Sequence, residues 1–113
     1  MAEDTIFGKI IRGEIPSEKV FENEKIVAFK DINPAAPVHI LIVPKKPIPD
    51  LQSVKPEDLH LIGEVVAAAQ TLAERYEISD GYRLLTNNGE PAGQSVFHLH
   101  FHLIGGRRLG PLA

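Results

Sequence analysis

Val96-Phe97-His98-Leu99-His100-Phe101-His102-Leu103-Ile104 alternates imidazole and apolar side chains from His98 onward. Successive residues of a strand point to opposite faces, so one strand over 96–104 carries His98, His100 and His102 on one side. Leu99, Phe101 and Leu103 fall on the other side and ask for a core. Surface strands ordinarily display Thr, Lys, Glu or Ser. A face made of histidine alone is therefore read as chemical, given how readily imidazole titrates and ligates near neutrality.

Working outward, Asn87 to Ser95 (NNGEPAGQS) is a loop with two glycines, joined directly to the histidine strand. Small residues let backbone N–H groups approach an anion, so the loop is a candidate phosphate cradle. Tyr82 to Thr86 reads as a further strand. Val38 to Val43 (VHILIV) is almost wholly apolar and reads as a buried strand, left through Pro44, Pro47 and Pro49. A long helix is expected from near Pro56, where Glu57 and Asp58 suit the positive helix end. Leu59, Ile62, Val66, Ala69, Ala73 and Tyr76 give its core-facing stripe, and Gly81 lies just past its end.

Toward the N-terminus, Val20-Phe21 and Ile26 to Phe29 flank Glu22-Asn23-Glu24-Lys25 and form a hairpin. Asp31 to Pro37 (DINPAAP) holds two prolines and lies outside any sheet. Thr5 to Arg12 spaces Ile6, Phe7, Ile10 and Ile11 as a short helix, capped by Asp4 or Thr5 and stopped by Gly13 and Pro16. The fold class expected is α+β, a mainly antiparallel sheet with one long helix and a short N-terminal helix.

A chain of 113 residues suits one domain, 1–113, with one core. The formal charge of −3 speaks against broad nucleic-acid binding, which needs a basic footprint. There are no cysteines, which removes disulfides and thiolate metal ligands. The N-terminal residues lack the basic start and apolar core of a secretory signal. No apolar run approaches the roughly 20 residues of a membrane span. The expected location is the cytoplasm, away from the membrane.

Two chemistries compete for the histidine row. In the first, imidazoles ligate zinc through bonds of roughly 2.0–2.1 Å. Same-face neighbours on a strand lie about 6.7 Å apart, so two could converge on a metal while all three would need a bend. In the second, one imidazole attacks phosphorus, a neighbour fixes its tautomer and another donates to phosphoryl oxygens. The glycine loop favours the second. A nucleophilic ring must be neutral, and a phosphoramidate amine departs poorly unless protonated; a coupled histidine network can serve both needs without metal.

His98 to Ile104 resembles the motif of the histidine triad (HIT) proteins, histidines alternating with apolar residues. Asp4 to Pro16 (DTIFGKIIRGEIP), Asp31 to His39 (DINPAAPVH), Val43 to Lys46 (VPKK) and Gly93 to Ser95 are similar to the Hint branch of that family. The resemblance implies a HIT-like homodimer that binds purine nucleoside monophosphate derivatives and hydrolyses P–N bonds of their 5′-phosphoramidates, without a metal cofactor. It implies that His100 is the nucleophile, that His102 bonds the phosphate oxygens, and that His98 and His39 complete the relay. Ser95 would lie near the leaving amine, Gln94 and Asn87 on the phosphate side, and Asp31 on the ribose hydroxyls. Ile6, Phe7, Ile10, Phe29 and Ile32 would wall the base. Read without the family, His39 is an ordinary core histidine, Asp31 a turn cap, Ser95 a loop strut and the apolar five plain core. His60 has no motif around it and receives no role. Pro47 departs from the family, which often has histidine there. Rival functions within the resemblance are dinucleoside polyphosphate hydrolysis and non-catalytic nucleotide binding.

Overall fold

Val38–Pro44 (β3) lies at the centre of the sheet because nearly all of its side chains can be buried whichever way they point. A computed structural model describes residues 5–112 of the chain. Around β3 stand α1 (Ile6–Ile11), β1 (Lys19–Glu22), β2 (Ile26–Lys30), α2 (His60–Arg75), β4 (Tyr82–Leu85) and β5 (Phe101–Gly105). The strands form one five-stranded sheet in the order β1-β2-β3-β5-β4, with every neighbouring pair antiparallel. The α+β architecture with one long and one short helix is the one expected.

Alternation along β2 and β3 splits the core in two. Ile26, Ala28, Ile40 and Ile42 face α2 together with Leu99, Phe101 and Leu103. Val27, Phe29, Leu41 and Val43 face the other way and are covered by Phe7 and Ile10 of α1. The short helix is therefore the lid of the second face. Thr5 caps it, its side-chain oxygen accepting the Gly8 N–H at 3.1 Å; Asp4, the other cap candidate, lies outside the described residues. The β1–β2 hairpin closes on Asn23, whose Oδ1 accepts the N–H groups of Lys25 and Ile26 at 2.9 and 2.8 Å.

Three details of α2 differ from expectation. Pro56–Asp58 forms its own 3₁₀ turn, and the α-helix starts at His60. Asp58 is buried and takes both 2.9 and 2.8 Å hydrogen bonds from Lys46 Nζ, tying the exit of β3 to the head of the helix. The buried stripe is Leu61, Val65, Ala68, Ala69, Leu72 and Ala73. Of the expected stripe, Leu59 and Val66 are 56% and 41% exposed, Ile62 and Tyr76 pack at the edge of the core, and only Ala69 and Ala73 are buried. The sequence holds two overlapping apolar stripes, and the sheet takes the one that brings the bulkier Leu61, Val65 and Leu72 together. The helix stops on Glu77, not Gly81. Glu77 has φ 58°, and the Ile78 N–H reaches back to the Ala73 carbonyl at 2.8 Å. That is the Schellman closure, with buried Ile78 as its apolar contact.

The expected strand over 96–104 is also shorter. Ladder pairing begins only at Phe101, where Phe101 meets Ile42 and His102 meets Leu41. Continued backward, that register sets Leu99 opposite Pro44, which has no N–H to give. Leu99 instead donates to the Ile48 carbonyl at 2.7 Å. No helix among the described residues is long and apolar enough to cross a membrane.

The two apolar stripes of α2 are separable by experiment. Leu72 is fully buried, so Leu72→Ala is expected to cost about 2–5 kcal/mol in urea denaturation. A cost within about 0.5 kcal/mol, as for an exposed position, would contradict the observed facing of the helix.

Candidate active site

The break in the ladder shapes the site. His98 and His100 precede β5, and His102 alone of the expected trio lies inside the strand. His98 is 1% exposed and its Nε2 donates to the Pro44 carbonyl at 2.7 Å, taking up the last carbonyl of β3. Its own carbonyl receives the Nδ1–H of His100 at 2.7 Å. The Thr86 hydroxyl donates to the carbonyl of His100 at 2.6 Å. His100 thus has a ring fixed by backbone on one side, with Nδ1 protonated and the lone pair on Nε2.

His39 and His102 meet across β3 and β5. Their rings lie 5.2 Å apart, with His39 Nε2 and His102 Nδ1 at 2.9 Å. The Ala35 N–H donates to His39 Nδ1 at 2.9 Å, so that nitrogen carries the lone pair. A neutral His39 then holds its proton on Nε2, and Nε2–H donates to His102 Nδ1. A neutral His102 is left with its proton on Nε2. Asp31 stands beside this pair, its Oδ2 3.4 Å from His39 Nε2. Its Oδ1 accepts the Asn33 N–H at 2.8 Å, so Asp31 also caps its turn.

The imidazole row the structure brings together is His100–His102–His39. His100 and His102 have ring centroids 5.2 Å apart, and the edge of Phe7 rests against His100 at 4.8 Å. His98 offers the row its main-chain carbonyl, while its ring bonds the Pro44 carbonyl. Burial pushes the His102 ring down to about 4, and the neighbouring His100 and His39 rings push the same way against Asp31. Burial also lowers His100, and the His98 ring adds to this, against the hydrogen bond to the His98 carbonyl and Asp31, which raise it. Both shifts favour the neutral rings near pH 7, in which His100 carries its lone pair on Nε2.

The loop before the histidines is built differently from an open anion cradle. Gly89 and Gly93 take positive φ of 87° and 98° around a 3₁₀ turn at Glu90–Ala92. The amides of Ala92, Gly93 and Gln94 turn inward to the carbonyls of Gly89, Glu90 and Gly89. Gln94 is buried; its Oε1 accepts the Gly89 N–H at 2.7 Å, and its Nε2 donates to the Pro49 and Val96 carbonyls at 2.9 and 3.0 Å. Gln94 is the internal brace of the loop. Asn87 is half-buried at the loop's entrance, and Ser95 is exposed at its exit.

The apolar five divide. Phe7, Ile10 and Phe29 are buried together beside His100, with Phe7 edge-on to Phe29 at 5.5 Å. Ile6 is 46% exposed and Ile32, on the Asp31–Pro37 loop, 88% exposed. An open cavity of about 140 Å³ adjoins Asp31 and His39 and extends toward Lys30, Pro34 and Tyr76. His60 is exposed at the head of α2, its Nδ1 3.0 Å from the Glu57 carbonyl.

Among the described residues, the side chains with metal-ligand geometry are Asp31, His39 and His102, whose ligand atoms lie within 4.8 Å of one another. The expected trio does not converge, since His98 turns to Pro44 and His100 to the His98 carbonyl. The groups that sequence reasoning missed are main-chain ones: the Ala35 N–H and the carbonyls of His98 and Pro44. Side-chain patterns carry no trace of them, except that a proline at 44 advertises a carbonyl with no ladder donor beside it.

Comparisons with known proteins place the whole chain among relatives. The family model described as the HIT domain matches residues 12–109. The purine nucleoside phosphoramidase of Escherichia coli (strain K12) is 49% identical over 113 residues, covering 99% of this chain and 95% of that protein. An uncharacterized HIT-like protein of Synechocystis is 54% identical over 107 residues, covering 95% and 94%. A HIT family hydrolase from Clostridium thermocellum has a TM-score of 0.93 at 47% identity, covering 97% of this chain and 96% of its own.

The depressed His102 pKa carries a stability signature. Between about 4 and the ordinary 6.5, the unfolded chain binds the proton that the folded ring refuses. Stability is expected to fall as pH drops through that window and to be independent of this ring above it, with His100 acting in the same direction. Urea midpoints across the window check this, and His102→Gln should flatten part of the slope. Equal slopes in both proteins would show that the His102 pKa is not displaced.

Proposed function

The chain belongs to the histidine triad (HIT) family, and from that we propose that it is a hydrolase of purine nucleoside 5′-phosphoramidates, cleaving the P–N bond through a nucleotidyl-histidine intermediate. One observation carries the reading. The Nδ1–H of His100 is held by the His98 carbonyl at 2.7 Å, which leaves a neutral Nε2 lone pair beside the His39–His102 pair. The purine nucleoside phosphoramidase of E. coli, 49% identical over essentially the whole chain, supports the substrate class.

In this reading His100 Nε2 attacks the α-phosphorus, the P–N bond breaks as the nitrogen takes up a proton from solvent on the exposed Ser95 side, and the neutral amine leaves. Water then attacks the same phosphorus, its proton returns to solvent, and the P–N bond to His100 Nε2 breaks to free the ring. His102 Nε2–H donates to a phosphoryl oxygen, where negative charge grows in the transition state. Ser95, exposed beside the histidine segment, lies on the leaving-amine side. Asp31 receives a ribose hydroxyl on its outward oxygen. Ile32 and Ile6, the exposed members of the apolar five, cover the base from outside, while Phe7, Ile10 and Phe29 back the wall. No step calls for a metal. Asn87 flanks the phosphate, and Gln94 serves by holding the loop's shape.

We also propose that the chain pairs as a homodimer in the cytoplasm. β4 is an edge strand, and Leu59 and Val66 of α2 lie open to solvent, so both present surface for a second copy. Light scattering measures the mass directly.

His100→Ala and His100→Asn are expected to abolish turnover of adenosine 5′-phosphoramidate while AMP binding stays measurable by calorimetry. Base-quenched wild-type protein should carry an adenylyl mass on the peptide containing His100. Undiminished turnover in either variant, or an adduct on another residue, would refute the nucleophile assignment. AMP binding with no turnover of any phosphoramidate by the wild type would leave a nucleotide-binding protein instead.

A further inference from the structure

Beyond β5 the chain turns at Gly105-Gly106, and the turn is crowded. A Cβ on Gly105 would meet Ile78 Cδ1 at 2.9 Å, and one on Gly106, whose φ is +94°, would meet Pro37 Cβ at 3.0 Å. The chain therefore leaves the sheet pressed against the Asp31–Pro37 loop, and Arg107 reaches back over it. Its Nη2 donates to the Ala35 carbonyl at 2.8 Å, while Nη1 donates to the Arg108 carbonyl at 2.9 Å. Ala35 is thus held from both sides, by the guanidinium at its carbonyl and by His39 Nδ1 at its N–H.

We propose that Arg107 is a positioning residue for the imidazole relay, acting through Ala35 to set the tautomer of His39 and, through it, that of His102. The chemical part rests on the hydrolase reading above; the tautomer part does not. Outside this grip, the polar contacts of the loop sit at its start. The Asp31 N–H donates to the His39 carbonyl at 3.0 Å, and the Asn33 N–H to Asp31 Oδ1 at 2.8 Å. Arg107 is the charged group that fixes the loop near its middle, and a guanidinium makes the stronger, charge-assisted kind of hydrogen bond.

The consequence follows from counting protons on ring nitrogens. With the Ala35 N–H on Nδ1, His39 keeps its proton on Nε2 and donates to His102 Nδ1, so His102 presents Nε2–H as a donor. If Ala35 moves away, His39 is free to carry its proton on Nδ1 instead. Its Nε2 then becomes an acceptor, His102 must answer with Nδ1–H, and His102 Nε2 is left with a lone pair. A lone pair there repels a phosphoryl oxygen. The guanidinium at the surface thereby biases His102 toward donating. Asp31 Oδ2, 3.4 Å from His39 Nε2, favours the productive tautomer as well, so loss of Arg107 weakens the preference without reversing it.

Long-range proton–nitrogen correlation spectra of the unliganded protein read ring tautomers directly. In the wild type, His39 and His102 should each show a bare Nδ1 and a protonated Nε2. Arg107→Ala should give tautomer-averaged nitrogens for His39, with kcat lowered by up to about twofold, the share of the unproductive tautomer, and KM altered by less than that. Arg107→Lys, which keeps a donor for the Ala35 carbonyl, should restore most of both. A wild-type His39 protonated on Nδ1 would overturn the proposal, as would an Arg107→Ala protein with unchanged ring spectra. A wild type inert on phosphoramidates would remove the hydrolase reading and leave the ring spectra to decide on Arg107.

Discussion

The register of β3 against β5 governs almost everything else in this molecule. With Leu41 opposite His102 and Ile40 opposite Leu103, His102 and His39 share the α1 face while Leu103 enters the α2 core. A slip of one residue would exchange the faces, burying an imidazole under α2 and presenting a leucine where the relay stands. The register is protected because both faces are filled. Leu99, Phe101 and Leu103 are all buried on one side, and Phe7, Ile10 and Phe29 close the other. Apolar packing thus fixes the polar geometry, and the histidines need contribute nothing to stability themselves. Below about pH 6.5 two of them work against it, since burial depresses both His100 and His102.

Much of this was legible in the residues. Period-two alternation located the histidine segment, the unbroken apolar run of Val38 to Val43 located the centre of the sheet, and Thr5 and Gly13 bracketed the short helix. What escaped did so for physical reasons. Two apolar stripes run along 59–76, and only the shape of the opposing sheet chooses between them. The end of α2 falls on Glu77 because the closure around Ala73 and Ile78 outweighs the reluctance of a side chain to take positive φ. The start of β5 was misplaced because the limit comes from Pro44 on its partner, more than fifty residues away in sequence. Within the site, the side chains were findable and their main-chain partners were not. His98 stands as a member of a row in the sequence; in the fold it is a brace whose carbonyl aims His100.

The chemistry is organised by main-chain atoms to an unusual degree. Three of the four site histidines have one ring nitrogen engaged by backbone: His98 by the Pro44 carbonyl, His100 by the His98 carbonyl and His39 by the Ala35 N–H. Backbone partners cannot rotate away as side chains can, so each ring's tautomer is a property of the fold. His102 alone takes its setting from another imidazole. It is also the most exposed of the four, which suits the phosphate-contacting role proposed for it.

The internally braced loop at 87–95 bears on how tightly anything can bind there. Its inward amides, its two left-handed glycines and the triple engagement of Gln94 mean that folding has already removed the disorder a glycine-rich stretch would otherwise keep. A visiting molecule meets a surface whose shape does not wait for it. Little association free energy is then diverted into immobilising chain, and what contacts provide is left for discrimination among visitors.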